Sequence, residues 1–130
     1  MTLVLDASAL AGWLMPDEAG SDLLLLADRH DVFTAPTLLW AEIRNILIVA
    51  ERRGRISREQ VDHAIETISD LGIVPDASPS SAAVLGLCRS HRLTAYDALY
   101  LELALRETAE LATLDAALAR AARDEGVGVA

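Results

Sequence analysis

The sequence has 130 residues, 52% of them hydrophobic, so we expect one domain, residues 1–130, whose core needs no metal or disulfide support. The formal net charge of −9 argues against a protein that binds nucleic acid by general attraction to phosphate, although the local charge can differ from the total. All 11 basic residues are arginines, which excludes Schiff-base lysines and lysine-dependent phosphate loops.

Cysteine content and hydropathy indicate a reducing compartment. Cys88 is the single cysteine and cannot form an internal disulfide; we interpret it as a small buried hydrophobic residue. The first residues form neither a basic region nor a long apolar run, and charges interrupt every apolar run before the roughly 18 residues of a membrane span. We therefore expect a cytoplasmic protein without a membrane segment.

Short strands and helices alternate along the chain. The predicted strands are Thr2–Leu5, Val32–Thr34, Ile73–Val74, Glu110–Leu114 and a final edge strand, Val127–Val129. The predicted helices are Ala7–Met15, Ser21 to about His30, Thr37–Arg53, Ser57 to about Asp70, Pro79 to about His91, Ala95 to about Thr108, and Ala116–Glu125.

Local signals fix several of these boundaries. Pro16 ends the first helix and a loop, Asp17–Gly20, follows it, whereas Gly54 ends the long third helix. A capping box formed by Ser57 and Gln60 opens the fourth helix. The alternation predicts a doubly wound α/β/α sandwich with a mainly parallel sheet of four or five strands.

Asp6 follows a buried strand and precedes a helix, which places it at the carboxyl end of a parallel sheet, where ligands bind in such folds. Asp115 repeats this arrangement after the apolar strand that contains Leu111 and Leu114. The alternative is that each aspartate serves only as the N-cap of the following helix.

Two further acids lie on helix faces that point inward. Glu42 follows Leu38 by four residues and precedes Ile46 by four, so it falls within the apolar stripe of the long helix. Asp97 lies one turn into its helix, on the side of Tyr100. The structural alternatives are an arginine partner for Glu42 and a capping role for Asp97 with Thr94.

Four carboxylates that meet at one edge of a sheet would raise one another's pKa unless a cation lay among them. Oxygen ligands that are open to water suit Mg²⁺ or Mn²⁺ better than Zn²⁺. Such ions hold a phosphodiester, activate water and stabilise the leaving oxygen. The residues therefore predict metal-dependent phosphoester hydrolysis, without indicating which ester.

The sequence resembles PIN domains, and among them the VapC-like toxin ribonucleases of bacterial toxin–antitoxin pairs. The resemblance covers almost the whole chain and rests on motifs in a shared order. These are Leu5-Asp6-Ala7-Ser8 with Leu10, Ala41-Glu42, Ala95-Tyr96-Asp97-Ala98-Leu99-Tyr100 and Thr113-Leu114-Asp115. One departure is Leu118, where many relatives carry an aromatic residue; this bears on packing only.

The resemblance implies a PIN-like fold and an endoribonuclease whose Mg²⁺ or Mn²⁺ site is formed by Asp6, Glu42, Asp97 and Asp115. It implies that Ser8 and Thr113 supply assisting hydroxyls. It also implies an RNA substrate, a homodimer and inhibition by a cognate antitoxin protein.

Arginines concentrate around the end of the long helix, where Arg52, Arg53 and Arg55 are candidate RNA contacts. Their structural alternative is a solvated helix end whose dipole favours cations. We assign none of the three histidines to chemistry, because no partner is visible in the sequence. Trp13 and Trp40 are interpreted as core or dimer-face residues rather than platforms for bases.

Three other functions fit parts of the pattern. A signalling receiver domain needs a lysine that this chain lacks. A phosphatase with an aspartyl nucleophile favours a second aspartate where Ser8 stands. An inactive PIN module that only binds RNA or protein would not need all four acids.

The acidic site also suggests how a partner would inhibit it. An antitoxin arginine would suit the carboxylates, because guanidinium binds them in a bidentate way. We predict that an amphipathic antitoxin helix lies on apolar faces around Leu10, Trp13, Leu14 and the run Leu23–Leu26.

Overall fold

The computed structural model describes residues 1–15 and 23–130. Its strands are β1 (Thr2–Leu5), β2 (Val32–Pro36), β3 (Val74–Asp76) and β4 (Glu110–Ala112). Its helices are α1 (Ala7–Leu14), α2 (Leu23–Arg29), α3 (Leu38–Arg52), α4 (Arg58–Asp70), α5 (Ser81–His91), α6 (Ala95–Arg106) and α7 (Ala116–Asp124). The predicted loop at 17–20 and the predicted start of the second helix at Ser21 lie outside the described residues.

The four strands form one sheet in the order β3-β2-β1-β4, and every pairing is parallel. Leu3, Val4 and Leu5 of β1 are all fully buried. Because side chains alternate between the faces of a strand, this shows that both faces of the sheet are covered. The prediction of an α/β fold with a mainly parallel sheet is confirmed.

The predicted fifth strand is wrong. Val127–Val129 contributes one isolated bridge, in which Val129 lies beside Leu111. Two backbone hydrogen bonds of 2.9 Å hold it: the Leu111 amide donates to the Gly128 carbonyl, and the Ala130 amide donates to the Leu111 carbonyl. The segment follows a turn at Gly126 with a φ of +78° and contains a second glycine, and glycine forms strands poorly.

The bounds of three strands also differ from the prediction. β2 continues beyond the predicted Thr34 to Pro36, because its last residues pair with β3. Pro75 lies inside β3 rather than ending it, which is tolerated because β3 is an edge strand. β4 ends at Ala112, two residues before the predicted end at Leu114. Its partner β1 ends at Leu5, so residues beyond Ala112 have no strand to pair with on that side.

The predicted end of α3 and the predicted start of α4 are confirmed. The capping box is present, with the Gln60 amide donating to the Ser57 hydroxyl oxygen and the Ser57 amide donating to the Gln60 side chain. Gly54 follows α3 with a φ of +73°. α6 ends at Arg106, before the expected Thr108, because Thr108 has a φ of +51° that no helix accommodates.

His30 has partners that the sequence did not reveal. Its side chain is fully buried, with Nδ1 at 2.8 Å from the Leu26 carbonyl and Nε2 at 2.8 Å from Glu110 Oε1. This contact ties the end of α2 to the start of β4. The contact is structural.

Cys88 is half-buried against the core rather than fully buried as the sequence predicted.

A cluster of charges fixes α6 against the edge of the sheet. Arg106 donates to both oxygens of Asp76, at 3.0 and 2.7 Å, and to both oxygens of the buried Glu102, at 2.9 and 3.1 Å. The Arg106 guanidinium holds the pKa of Asp76 below its usual value. The end of β3 is thereby tied to α6, the helix that carries Asp97.

A lipid bilayer needs about 18 or more consecutive apolar helical residues. None of the helices in the described ranges meets this requirement.

Candidate active site

Asp6 lies buried at the carboxyl end of β1, with 5% of its surface exposed. Its Oδ1 accepts hydrogen bonds from the Ser8 hydroxyl at 2.7 Å and from the Ala9 amide at 2.8 Å. Its Oδ2 accepts a hydrogen bond from the Thr113 hydroxyl. The bond from Ala9 makes Asp6 the N-cap of α1, so the structural alternative considered for this residue is also correct.

The strand register explains why Asp6 and Thr113 meet. Leu5 of β1 is paired with Ala112 of β4, and the Asp6 amide donates to the Ala112 carbonyl at 3.1 Å. The next residue of each strand is then Asp6 on one side and Thr113 on the other. A shift of register by one residue would turn these side chains to opposite faces and separate them.

Two hydroxyl groups connect Asp6 to the chain around Asp115. The Ser8 hydroxyl oxygen accepts a bond from the Leu114 amide at 2.9 Å, and the Thr113 hydroxyl oxygen accepts one from the Asp115 amide at 3.0 Å. Each hydroxyl has one proton, and both protons are donated to Asp6. The 3.4 Å approach of the two hydroxyl oxygens is therefore a contact between acceptors rather than a further hydrogen bond.

Glu42 and Tyr100 form a direct hydrogen bond between α3 and α6. The Tyr100 hydroxyl donates to Glu42 Oε1 at 2.5 Å, and Tyr100 itself is 2% exposed. Burial and the nearby carboxylates raise the pKa of Tyr100 far above its ordinary value, so it stays a donor. The partner of Glu42 is thus a tyrosine and not the arginine considered from the sequence.

Asp97 and Asp115 complete the group of acids. Asp115 is the N-cap of α7, where its Oδ1 accepts from the Leu118 amide at 2.9 Å. Asp97 lies in the first turn of α6, where its amide donates to the Thr94 hydroxyl oxygen at 3.2 Å. The helix N-termini place positive dipole ends beside these carboxylates and offset part of their repulsion.

All four acids line one cavity of about 180 Å³, which we call the acidic cavity. Its lining residues are Asp6, Ala7, Ser8, Glu42, Ile46, Asp97, Tyr100 and Asp115. The sequence thus predicted the acids of this cavity, and Ser8 with them. Thr113 lies just behind Asp6, and the sequence missed the role of Tyr100, although its spacing of three from Asp97 is the signal that places both on one face.

Burial and charge repulsion raise the pKa of two carboxylates in the acidic cavity. Burial, followed by the charges of Asp115 and Glu42, raises the pKa of Asp97 above its usual value. Burial is also the largest cause of the raised pKa of Asp6, which three hydrogen bonds lower and the charge of Asp97 raises further. The group therefore favours the approach of a cation.

The chemistry of this donor set fits a hard divalent ion. As the side chains stand in residues 1–15 and 23–130, no three His, Cys, Asp or Glu side chains are close enough to hold a metal ion together. Asp6 and Glu42 instead take their hydrogen bonds from protein hydroxyls.

The candidate RNA-contacting arginines lie elsewhere. Arg52, Arg53 and Arg55 are exposed around the far end of α3. Arg52 follows Glu42 by ten residues, which is about 15 Å along a helix axis. A role for these arginines stays a prediction.

A family model, the PIN domain, matches residues 3–124 of the chain. The chain belongs to the PIN domain family. No curated protein sequence matches it significantly. The resemblance noted in the sequence is thereby confirmed at the level of the family.

Solved structures share the fold of this PIN domain. PAE2754 from Pyrobaculum aerophilum is 25% identical, with a TM-score of 0.76 over 99% of this chain and 83% of that one. VapBC2 from Rickettsia felis, solved with a DNA fragment from its promoter, is 15% identical, with a TM-score of 0.69 over 100% of this chain and 98% of that one. VapC20 from Mycobacterium tuberculosis, a toxin that cleaves the sarcin–ricin loop, is 12% identical, with a TM-score of 0.65 over 92% of this chain and 94% of that one.

Replacement of Asp97 by Asn tests the repulsion in the acidic cavity. The raised pKa of Asp97 means that the folded protein gains stability as the pH falls through that value, and the gain is complete below the unfolded value of about 3.9. In chelator at pH 7, we expect Asp97→Asn to raise Tm by about 2–5 °C, which corresponds to about 0.5–1 kcal/mol. The advantage of the variant should shrink as the pH is lowered towards 4.

Asp62→Asn is the matched control, because Asp62 is an exposed carboxylate inside α4, away from the acidic cavity and from both helix ends. Thermal unfolding across the pH range measures both variants. A fall in Tm for Asp97→Asn, or an equal rise for both variants, would show that Asp97 is a structural residue without strain from its neighbours.

Proposed function

We propose that this PIN domain is a metal-dependent endoribonuclease and the toxin of a toxin–antitoxin pair. The observation that carries the proposal is the meeting of Asp6, Glu42, Asp97 and Asp115 in one cavity at the carboxyl end of a parallel sheet. PIN domains are in general nucleases, and the solved neighbours that include VapC20 and VapBC2 support the toxin role.

The four acids would hold Mg²⁺ or Mn²⁺, which supplies charge to a phosphodiester and lowers the pKa of water. A bound cation would offset the repulsion from Glu42 and Asp115 that contributes to the raised pKa of Asp97. Asp6 is already oriented by Ser8, Ala9 and Thr113.

The chain's own residues perform two tasks in this scheme. The hydroxyls of Ser8 and Thr113 are committed donors to Asp6, so they orient its carboxylate and partly oppose the rise in its pKa that burial causes. Tyr100 orients Glu42 from the opposite wall. Partners that orient ligand side chains in this way are an integral part of metal sites.

The geometry speaks against Asp6 as the nucleophile of a phosphatase. Both of its oxygens accept hydrogen bonds, and the second position after it is Ser8, which donates a proton to Asp6 rather than supplying a second acid. The remaining alternative, an inactive binding module, is decided by the activity measurement below.

The first test of function is cleavage of RNA by the purified protein with Mn²⁺ or Mg²⁺. Amide variants of Asp6, Glu42, Asp97 and Asp115 should lower the rate at least about 100-fold, because each removes a charge that the site needs. Chelator should abolish cleavage by the unaltered protein. Asp124→Asn carries the same loss of charge outside the cavity and should cleave normally.

Circular dichroism checks that every variant is folded, and calorimetric titration with Mn²⁺ measures binding independently of activity. Full activity in Asp6→Asn and Asp97→Asn would remove the assignment. Normal folding and Mn²⁺ binding without cleavage of any RNA would favour the inactive binding module.

Tyr100→Phe tests the proposal that Tyr100 positions Glu42. The variant keeps the buried ring and removes only the hydroxyl, so we expect a 10–100-fold loss in Mn²⁺ affinity or in cleavage. Tyr96→Phe is the matched control, because Tyr96 is 63% exposed one position before Asp97. Equal Mn²⁺ affinity in the two variants would show that Glu42 needs no such support.

The proposed partner is an antitoxin that covers part of this domain. The structure corrects part of the surface expected from the sequence, since Leu10, Leu23 and Leu26 are buried in the core. Leu24 and Leu25 are exposed, and Trp13 and Leu14 are only partly buried. An apolar groove of about 300 Å³ lies beside Leu14, between α1, α3 and α4. Its lining residues are Leu14, Leu47, Ile56, Glu59, Gln60, His63 and Ala64.

Co-expression with the product of the adjacent upstream reading frame tests this partner. We expect the two proteins to co-purify and the complex to have at least about tenfold lower RNA cleavage. His63→Asp places a charge at the edge of the apolar groove and should weaken the complex about tenfold. Ser69→Asp adds the same charge at an exposed position of α4 outside the groove and should not.

Isothermal titration measures both affinities. Failure to co-purify, or cleavage that is undiminished in the complex, would remove the toxin–antitoxin role and leave the nuclease proposal unaffected. Homodimerisation and RNA contacts by Arg52, Arg53 and Arg55 are further parts of the proposal.

A further inference from the structure

A second cavity shares a wall with the acidic cavity. It is open, has a volume of about 580 Å³ and is lined by Thr113–Ala116, Ala119, Arg120, Arg123, Val129 and Ala130. Asp115 lines both cavities. We call the second one the basic groove, because two arginines form its outer wall.

The two arginines extend from one face of α7. Arg120 and Arg123 are three positions apart, which places both side chains on the same side of a helix. Both are exposed, and neither forms an ion pair with the acids in the described part of the chain. In a protein with a net charge of −9, a pair of uncommitted cations beside an acidic cavity is a local reversal of charge.

The wall between the cavities is rigid. The Leu114 amide donates to the Ser8 hydroxyl oxygen, and the Asp115 amide donates to the Thr113 hydroxyl oxygen, so the backbone there is fixed to Asp6. The Leu114 side chain is 46% exposed and gives the basic groove an apolar floor beside the cations. A ligand that spans both cavities would meet carboxylates first, then an apolar surface, then two guanidinium groups.

We propose that the basic groove binds the backbone of the RNA strand next to the phosphodiester held at the acidic cavity. This inference rests on the proposed nuclease function and adds a substrate-binding site to it. Along α7, Arg120 and Arg123 lie about 7.5 and 12 Å beyond Asp115. Successive phosphates of an extended single strand are farther apart than the rise of about 3.4 Å per strand in a duplex, so the two arginines can reach different phosphates of one strand.

The observations favour RNA over an acidic protein segment. Guanidinium groups bind carboxylates as well as phosphates, but the groove leads directly into a cavity lined by four carboxylates that would repel an acidic peptide. A nucleic acid strand is different, because its next phosphate is the group that the proposed metal site attracts. Arg52 and Arg53, by contrast, line neither cavity.

The experiment measures binding of a short labelled single-stranded RNA to the full chain in chelator, across a range of salt concentrations. The slope of log affinity against log salt is negative, and each phosphate contact on a single strand contributes about 0.7 to its magnitude. The double variant Arg120→Gln with Arg123→Gln should therefore reduce that magnitude by about 1.4. The matched control is Arg29→Gln with Arg58→Gln, which makes the same change of charge at two exposed arginines that line neither cavity and should leave the slope unchanged.

A second measurement uses cleavage with Mn²⁺. The Arg120/Arg123 variant should raise KM about tenfold with kcat nearly unchanged, because it loses contacts made equally in the ground state and the transition state. An unchanged slope and KM in this variant, while the unaltered protein cleaves RNA, would overturn the basic groove and leave the nuclease function standing.

The opposite failure can be told apart. If the protein binds RNA with a slope that depends on Arg120 and Arg123 but never cleaves it, the groove stands and the proposed catalysis fails. An equal loss of slope in both double variants would show that only total charge matters and would overturn the groove. If the unaltered protein binds a polyglutamate peptide as tightly as the RNA, and the Arg120/Arg123 variant does not bind the peptide, the groove would be assigned to an acidic protein instead.

Discussion

The site depends on one buried carboxylate and on the strand register that holds it. Asp6 lies where β1 and β4 end side by side, and the pairing of Leu5 with Ala112 brings the Thr113 hydroxyl to it. The carboxylate then orders the start of α1 through the Ala9 amide. Through Ser8, which accepts a hydrogen bond from the Leu114 amide, it also orders the chain that follows β4. Fold and site are coupled at this residue, because the hydrogen bonds that make Asp6 an N-cap are also the ones that orient it.

A cost in stability accompanies this arrangement. Four carboxylates share one cavity, and the raised pKa values of Asp6 and Asp97 show that their charged forms are disfavoured there. Helix N-termini and the hydroxyls of Tyr100, Ser8 and Thr113 offset part of that penalty with dipoles rather than with charges. No Arg or His side chain of the described residues lines the acidic cavity, so a neutralising positive charge would have to come from a ligand.

Most of the architecture could be predicted because it follows from local patterns. The apolar run before Asp6 predicted the end of β1, and helical spacing predicted the inward direction of Glu42. The contacts that complete the site join distant positions. Tyr100 and Glu42 are 58 residues apart on two helices, and nothing in either segment alone reveals the pairing.

Most errors in the prediction have the same origin. The end of β4 is set by where its neighbour β1 stops, whereas the segment Val127–Val129 fails to form a strand because of its glycines. His30 was left without a partner because Glu110 lies 80 residues away. The basic groove was also invisible, since it requires the packing of α7 beside the final residues of the chain.

The separation of Asp6 from Thr113 in the sequence has a consequence for protein synthesis. The two residues are 107 positions apart, so the first strand must wait for the last one before the carboxylate is oriented. Contacts of such long range form late and pay the closure of a large loop. In a growing chain the acidic cavity is therefore incomplete until Thr113 and Asp115 have been translated, long after Asp6 has left the ribosome.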